Sequence, residues 1–190
     1  MNEQVKTAVS DLKQNAADVK AEFSELNVGQ LNWQAAEKSW SVAQCLDHLI
    51  VTHSMYLPIF EKLASGECKA TVWQKISPLS GFFGRFLIKS LDPKNLKPIK
   101  TASKAYPSSS EIDAGIIDRF VLHQKEMIKS LARLPDGIDT SVIVTSPLMG
   151  LVTYSLADTL TFVPMHCRRH FLQAKRVAEA PGFPNRIEEV

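Results

Sequence analysis

The sequence predicts an all-α fold, a four-helix bundle with a long crossover between its second and third helices. Three observations carry that expectation. Four stretches place apolar residues at helical spacing. Residues suited to helix capping open several of them, and Gly or Pro closes them. The one long segment that breaks the pattern, residues 66–110, falls between the second and third stretches. With 190 residues, 45% of them hydrophobic and 22% charged, the chain has the size and composition of one globular domain spanning 1–190.

In the first stretch Val5, Val9, Leu12, Ala16, Val19, Phe23 and Leu26 alternate at spacings of four and three, the stripe of a bundle helix. Asn27-Val28-Gly29-Gln30 stops it, since Gly favours the position just past a helix end. The segment Leu31 to Trp40, with Trp33 and Trp40, is expected to fold over a bundle end. Ser41 with Gln44 three residues on matches a capping box and starts a second helix. On that helix Asp47, Ser54 and Glu61 form a narrow solvent-facing strip, while nearly all else is apolar or small. Pro58 is expected to kink it, because proline removes a backbone donor and crowds the carbonyl four residues back.

Residues 66–110 are punctuated by Gly66, Pro78, Gly81, Gly84, Pro93, Pro98 and Pro107, and read as a crossover. Its middle, Leu79 to Leu91, carries Phe82, Phe83, Phe86, Leu87 and Ile88, enough apolar surface for a short helix or part of a subunit interface. Ser108-Ser109-Ser110 and Glu111 open a third helix striped by Ile112, Ile116, Phe120, His123, Met127, Leu131 and Leu134; Pro135-Asp136-Gly137 end it. A connector from Ile138 to Tyr154 follows, with Val142-Ile143-Val144 suited to a brief extended run. Ser155 with Asp158 opens the fourth helix, Ser155 to Ala180, whose stripe is Leu156, Leu160, Val163, Cys167, Phe171, Ala174 and Ala178. Pro164 inside it is expected to bend the helix and free a carbonyl.

The charge balance excludes some function classes. A net charge of +2 and interspersed Lys, Arg, Asp and Glu give no nucleic-acid footprint. The first twenty residues lack the apolar segment of a secretory signal. No apolar run approaches the roughly 18 residues of a membrane span. A cytoplasmic protein is expected. Cys45, Cys68 and Cys167 are an odd number without paired spacing, which suits reduced structural thiols.

The chemistry centres on the fourth helix. His166 and His170, four residues apart, share one helix face with Cβ atoms about 5–6 Å apart, the spacing of two metal ligands. A catalytic zinc-type site takes three protein ligands and leaves a position open. His48, in the second helix, is the candidate third; a hydrogen-bonded interior histidine is the other account of it. His123 faces the third helix's interior as a fourth ligand, a proton shuttle or a structural residue. Gln44 and Gln173 are candidate partners for the imidazoles. His53 lies about 140° around the helix from His48 and is expected to stay out of the site. Cys167 is read as packing, and Trp33, Trp40 and Trp73 as covers for bundle ends.

Trp40-Ser41 opening a helix, Leu46-Asp47-His48-Leu49 in its second turn, and His166-x3-His170 followed by Gln173 together resemble the DinB-like (DinB/YfiT superfamily) metalloenzymes. The resemblance covers nearly the whole chain, and Pro147-Leu148-Met149-Gly150 with Thr153 resembles the connector before the last helix. It implies a four-helix bundle holding a divalent ion, zinc or nickel, on His48, His166 and His170, and often a homodimer. It also implies S-transfer or isomerisation chemistry on a small-molecule substrate, with a low-molecular-weight thiol such as bacillithiol, mycothiol or glutathione. The alternative is a non-catalytic metal-binding or stress-related protein with a dimerisation role.

Overall fold

A computed structural model describes residues 1–37, 39–67, 80–95 and 101–184. They form a mostly helical fold with one small two-stranded antiparallel sheet. Helix α1 spans Glu3–Phe23, α2 Val28–Asn32, α3 Val42–Ser54 and α4 Leu57–Ala64; α5 is Ser80–Leu91, α6 Ile116–Ala132 and α7 Leu156–Ala178. A 3-10 turn at Ser103–Ala105 precedes α6, and strands β1 (Ile143–Thr145) and β2 (Thr153–Ser155) precede α7. No helix among the described residues is long and apolar enough to cross a membrane.

The four long helices share one core. α1 packs against α6 and α7, and α3 packs against the same two from the other side. The α1 stripe is buried at Val5, Val9, Leu12, Val19 and Phe23, but Ala16 is only half-buried and Asn15 takes the inward position beside it. Asn15 Nδ2 donates to the Pro164 carbonyl at 3.1 Å across the core. The carbonyl left spare by the proline's missing amide is that of Leu160, one turn back, whereas Asn15 bonds the carbonyl of Pro164 itself; α7 runs as one helix from Leu156 to Ala178 through the proline.

Both capping boxes form. Ser41 Oγ accepts from the Gln44 amide at 3.1 Å while Gln44 Oε1 accepts from the Ser41 amide at 3.1 Å. At the start of α7, Ser155 Oγ and the Asp158 carboxylate exchange the same pair of bonds. Asn27 and Gln30 close a third box on α2.

Three expectations change. The long second helix is divided: α3 stops at Ser54, and α4 restarts with Pro58 in its first turn, where the missing amide costs no helical hydrogen bond. The third helix begins at Ile116 after Gly115, not near Glu111, because the Ile112 amide and carbonyl are both taken by the Asn32 side chain. Of the strip expected to face water, Glu61 does, Ser54 is half-buried and Asp47 is covered. Asp47 is 8% exposed and its carboxylate accepts from the Ser108 amide at 2.5 Å, while Ser54 meets His123. The crossover and α6 cover that face.

Within the crossover, α5 bears out the expected short helix and packs on β2 and α7. Gly84 makes the fit: a Cβ there would lie 2.1 Å from Asp158 Oδ2. Ser80 Oγ and Thr153 Oγ1, 2.8 Å apart, join the start of α5 to β2. The expected extended run is β1, paired with β2 so that Val144 lies opposite Tyr154. Cys68, Trp73 and the crossover path through 68–79 and 96–100 lie outside the described residues.

Candidate metal centre

α3 and α7 pass in opposite directions, so movement from His48 to His53 on one helix runs from His170 toward His166 on the other. Tyr56 against Phe162, ring centroids 6.1 Å apart, extends the same register. The short contact is possible because both helices turn polar residues inward here, against an otherwise apolar core.

The structure brings His48, His166 and His170 together. Each offers one ring nitrogen, and the three nitrogens all lie within 4.8 Å of one another. His48 Nε2 is 3.1 Å from His166 Nε2. Two nitrogens on one tetrahedral zinc, each about 2.0–2.1 Å from it, sit ~3.4 Å apart, so this pair is already near ligand spacing. His48 is held from behind: its Nδ1–H donates to the Ala105 carbonyl at 2.5 Å, which leaves Nε2 as the bare nitrogen. His170 Nδ1 is buried without a partner at hydrogen-bonding geometry, a vacancy of the kind native interiors avoid. A bare His48 Nε2, a His166 Nε2 facing it and a His170 ring with one orphaned nitrogen make a donor set that fits a divalent ion.

Burial disfavours the charged form of all three imidazoles. It holds His48 below the usual histidine range, against the upward pull of the Ala105 carbonyl and Asp47. His166 and His170 are pushed well below that range by burial first and by each other's or His48's charge second, while Gln173 pulls His170 modestly upward. Neutral imidazole is the form that ligates.

Trp40 is more than a cover. Its ring stacks on His170 at 5.7 Å and leans on His48 at 4.8 Å, shielding one side of the cluster. On the open side lies a cleft of about 1600 Å³ lined by Trp40, Tyr56, Tyr106, Met149, Phe162 and Arg176 among others. Arg169, between the two α7 histidines, donates through Nη1 to the carbonyls of Ser90, Asp92 and Asn95, which fastens the end of α5 beside the cleft.

The remaining predictions divide. His53, expected to stay out of the site, lies behind it: its Nε2 is 3.0 Å from His166 Nδ1 and its Nδ1 is 3.6 Å from Cys167 Sγ. The wheel angle measured from His48 hid this, because His166 has a second nitrogen on its far side. The available signal was the antiparallel register, in which five residues along α3 correspond to one turn back along α7. His123 takes no part in the cluster and bonds Ser54 Oγ at 3.1 Å. Gln44 caps α3 and accepts from Gln34 Nε2, so its oxygen is spent on the helix start. Cys167 packs at 0% exposure, with burial raising its thiol pKa, and Cys45 is likewise buried and pushed up to about 12.

The sequence profile of the DinB superfamily matches residues 11–174. No curated protein and no solved structure matches the chain.

Proposed function

The chain belongs to the DinB superfamily, and from that premise we propose that it is a metal-dependent thiol S-transferase acting on small electrophiles. His48, His166 and His170 are the ligands in this reading, zinc or nickel the ion, and a low-molecular-weight thiol the co-substrate. The observation that carries it is the meeting of three imidazole nitrogens within 4.8 Å at the floor of an open cleft. A divalent ion there would act as a Lewis acid, lowering the pKa of a thiol so that thiolate is available at neutral pH.

The chain's own residues supply the rest. Ala105 fixes the His48 tautomer. Trp40 covers one side of the cluster and lines the cleft that would admit reactants. Met149 and Phe162 give the cleft apolar surface suited to an electrophile's hydrocarbon, and Arg176 offers a cation to an anionic co-substrate. The same reading takes α1, α3, α6 and α7 as a four-helix bundle that makes 1–190 one domain, in a cytoplasmic protein with no nucleic-acid partner.

A second reading is favoured by one observation. Phe82 and Phe86 are 57% and 56% exposed on α5 with their rings stacked 6.3 Å apart, a surface suited to a second copy of the chain. In that reading the ion fastens α3 to α7 in a homodimer without turnover. Elemental analysis of untagged protein, followed by a screen of thiols against model electrophiles, separates the two. Conjugation lost in His48→Ala with the fold retained supports the enzyme; a bound ion without conjugation by any thiol supports the structural role, and protein without a metal ion refutes both.

A further inference from the structure

We propose that His53 is a positioning residue that sets the tautomer of His166, through a buried hydrogen-bonded row continuing to Cys167 and Gln124. The inference rests on the reading that His48, His166 and His170 hold the ion, and deepens it by naming what holds the middle ligand. His166 lies between two imidazoles, with Nε2 3.1 Å from His48 Nε2 and Nδ1 3.0 Å from His53 Nε2. His53 Nδ1 is 3.6 Å from Cys167 Sγ, and Cys167 Sγ is 3.8 Å from Gln124 Oε1. His53, Cys167 and Gln124 are each at most 1% exposed, so no bulk water competes for these links.

A neutral imidazole carries one N–H and one lone pair, which makes the row directional. When His166 Nε2 ligates, its proton sits on Nδ1 and His53 Nε2 must accept it. The His53 proton then sits on Nδ1 and faces the Cys167 sulfur, and the thiol S–H faces the Gln124 oxygen. Each donor from His166 Nδ1 to the Cys167 thiol then meets an acceptor. Without an ion the order reverses. His48 gives its Nδ1–H to Ala105 and presents a bare Nε2, so His166 must donate from Nε2. His166 Nδ1 then accepts from His53 Nε2–H, and His53 Nδ1 accepts from the thiol. Both arrangements hold the same number of protons, so every group stays neutral. The His166 Nε2 proton is released to solvent in the cleft and one proton is regained from the same solvent as the rings exchange tautomer, so the total held by the row is unchanged.

A histidine kept only to fill space has no reason to change tautomer when an ion binds. The test is side-chain NMR of the full chain with isotope-labelled histidine, metal-free and with equimolar zinc, since ring shifts report which nitrogen carries hydrogen. The expected result is His53 passing from Nε2–H to Nδ1–H on zinc binding while His48 stays Nδ1–H. Zinc bound on the three histidines with His53 in one tautomer throughout overturns the proposal and leaves the metal reading standing. Zinc that fails to bind, or binds equally well to His48→Ala, overturns the metal reading and the proposal with it. In a second arm, His53→Phe weakens zinc binding about 10–100-fold and His53→Gln, whose amide oxygen can accept from His166 Nδ1, recovers most of it. Equal affinity in all three proteins refutes the positioning role.

Discussion

The seam between α1 and its neighbours is closed to water and apolar, whereas the seam between α3 and α7 is lined with polar side chains and opens at the histidines onto the cleft. Along α1 the inward residues are Val5, Leu12, Val19 and Phe23, each at most 1% exposed, with Asn15 the single polar insertion. Along α3 and α7 the inward set includes His48, His53, Thr52, Cys167 and His170. Apolar burial of the first kind stabilises by roughly 25 cal/mol per Å² and asks only for shape. Polar burial of the second kind is costly unless every group finds a partner. The incompletely satisfied cluster between α3 and α7 is a cost to the fold, which a bound ion would offset in the proposed reading.

That contrast is open to direct attack, and the largest expected effect is on the apolar side. Leu12→Ala leaves a cavity in a site with 0% exposure and is expected to cost about 2–5 kcal/mol by urea denaturation. Its zinc affinity, measured by competition with a chelating dye, is expected to stay unchanged. His48→Ala reverses the pattern: zinc affinity falls by more than the ~100-fold ceiling seen for outer partners of a metal ligand, while the metal-free unfolding midpoint moves little. If the two variants lose stability and affinity in parallel, the two seams are not distinct.

Acid sharpens the comparison. His48, His53, His166 and His170 all bind protons less readily in the fold than at the ordinary histidine value of 6.5, chiefly because of burial. Below that value the unfolded chain holds more protons than the folded one, so stability rises with pH across this window. It is complete above the unfolded value and is lost as pH falls through it toward the depressed folded values. Urea midpoints of metal-free protein are therefore expected to drop between about pH 7.5 and 5.5, and Leu12→Ala to carry the same slope.

How much of this was legible in the sequence depended on the direction of the information. Within one helix the reading was sound: the α1 stripe, the Ser41–Gln44 and Ser155–Asp158 boxes, and the shared face of His166 and His170 all follow from local geometry. His48 was found because a third ligand was required. His53 was missed because its role depends on the far nitrogen of a ring on another helix. Asp47 and Trp40 were misjudged for a related reason, since whether a polar or aromatic edge faces water is decided by what crosses over it. Pro58 separates two helices because the chain turns there, and periodicity alone does not distinguish a bend from a restart.

Smaller changes probe the edges. Ser155→Ala removes the cap at the start of the helix bearing two histidines and is expected to cost about 1 kcal/mol, with zinc affinity nearly intact, since the ligands lie three and four turns away. Smallest is Arg168→Ala. Its ion pair with Asp18 at 2.5 Å is partly solvated, and its stacking over Phe171 at 4.8 Å is peripheral, so the expected loss is under ~1 kcal/mol, measurable as a slight shift in Tm.

Arg169 has a wider reach than its size suggests. It sits one residue before His170 and three after His166, and its guanidinium grips three backbone oxygens at the far end of α5. Any reactant large enough to push that end outward would tug on the turn of helix that bears two of the imidazoles. In the proposed reading the width of the entrance and the spacing of the nitrogens are linked through Arg169, and a sequence change made to admit bulkier molecules would be felt at the histidines even when it touches none of them.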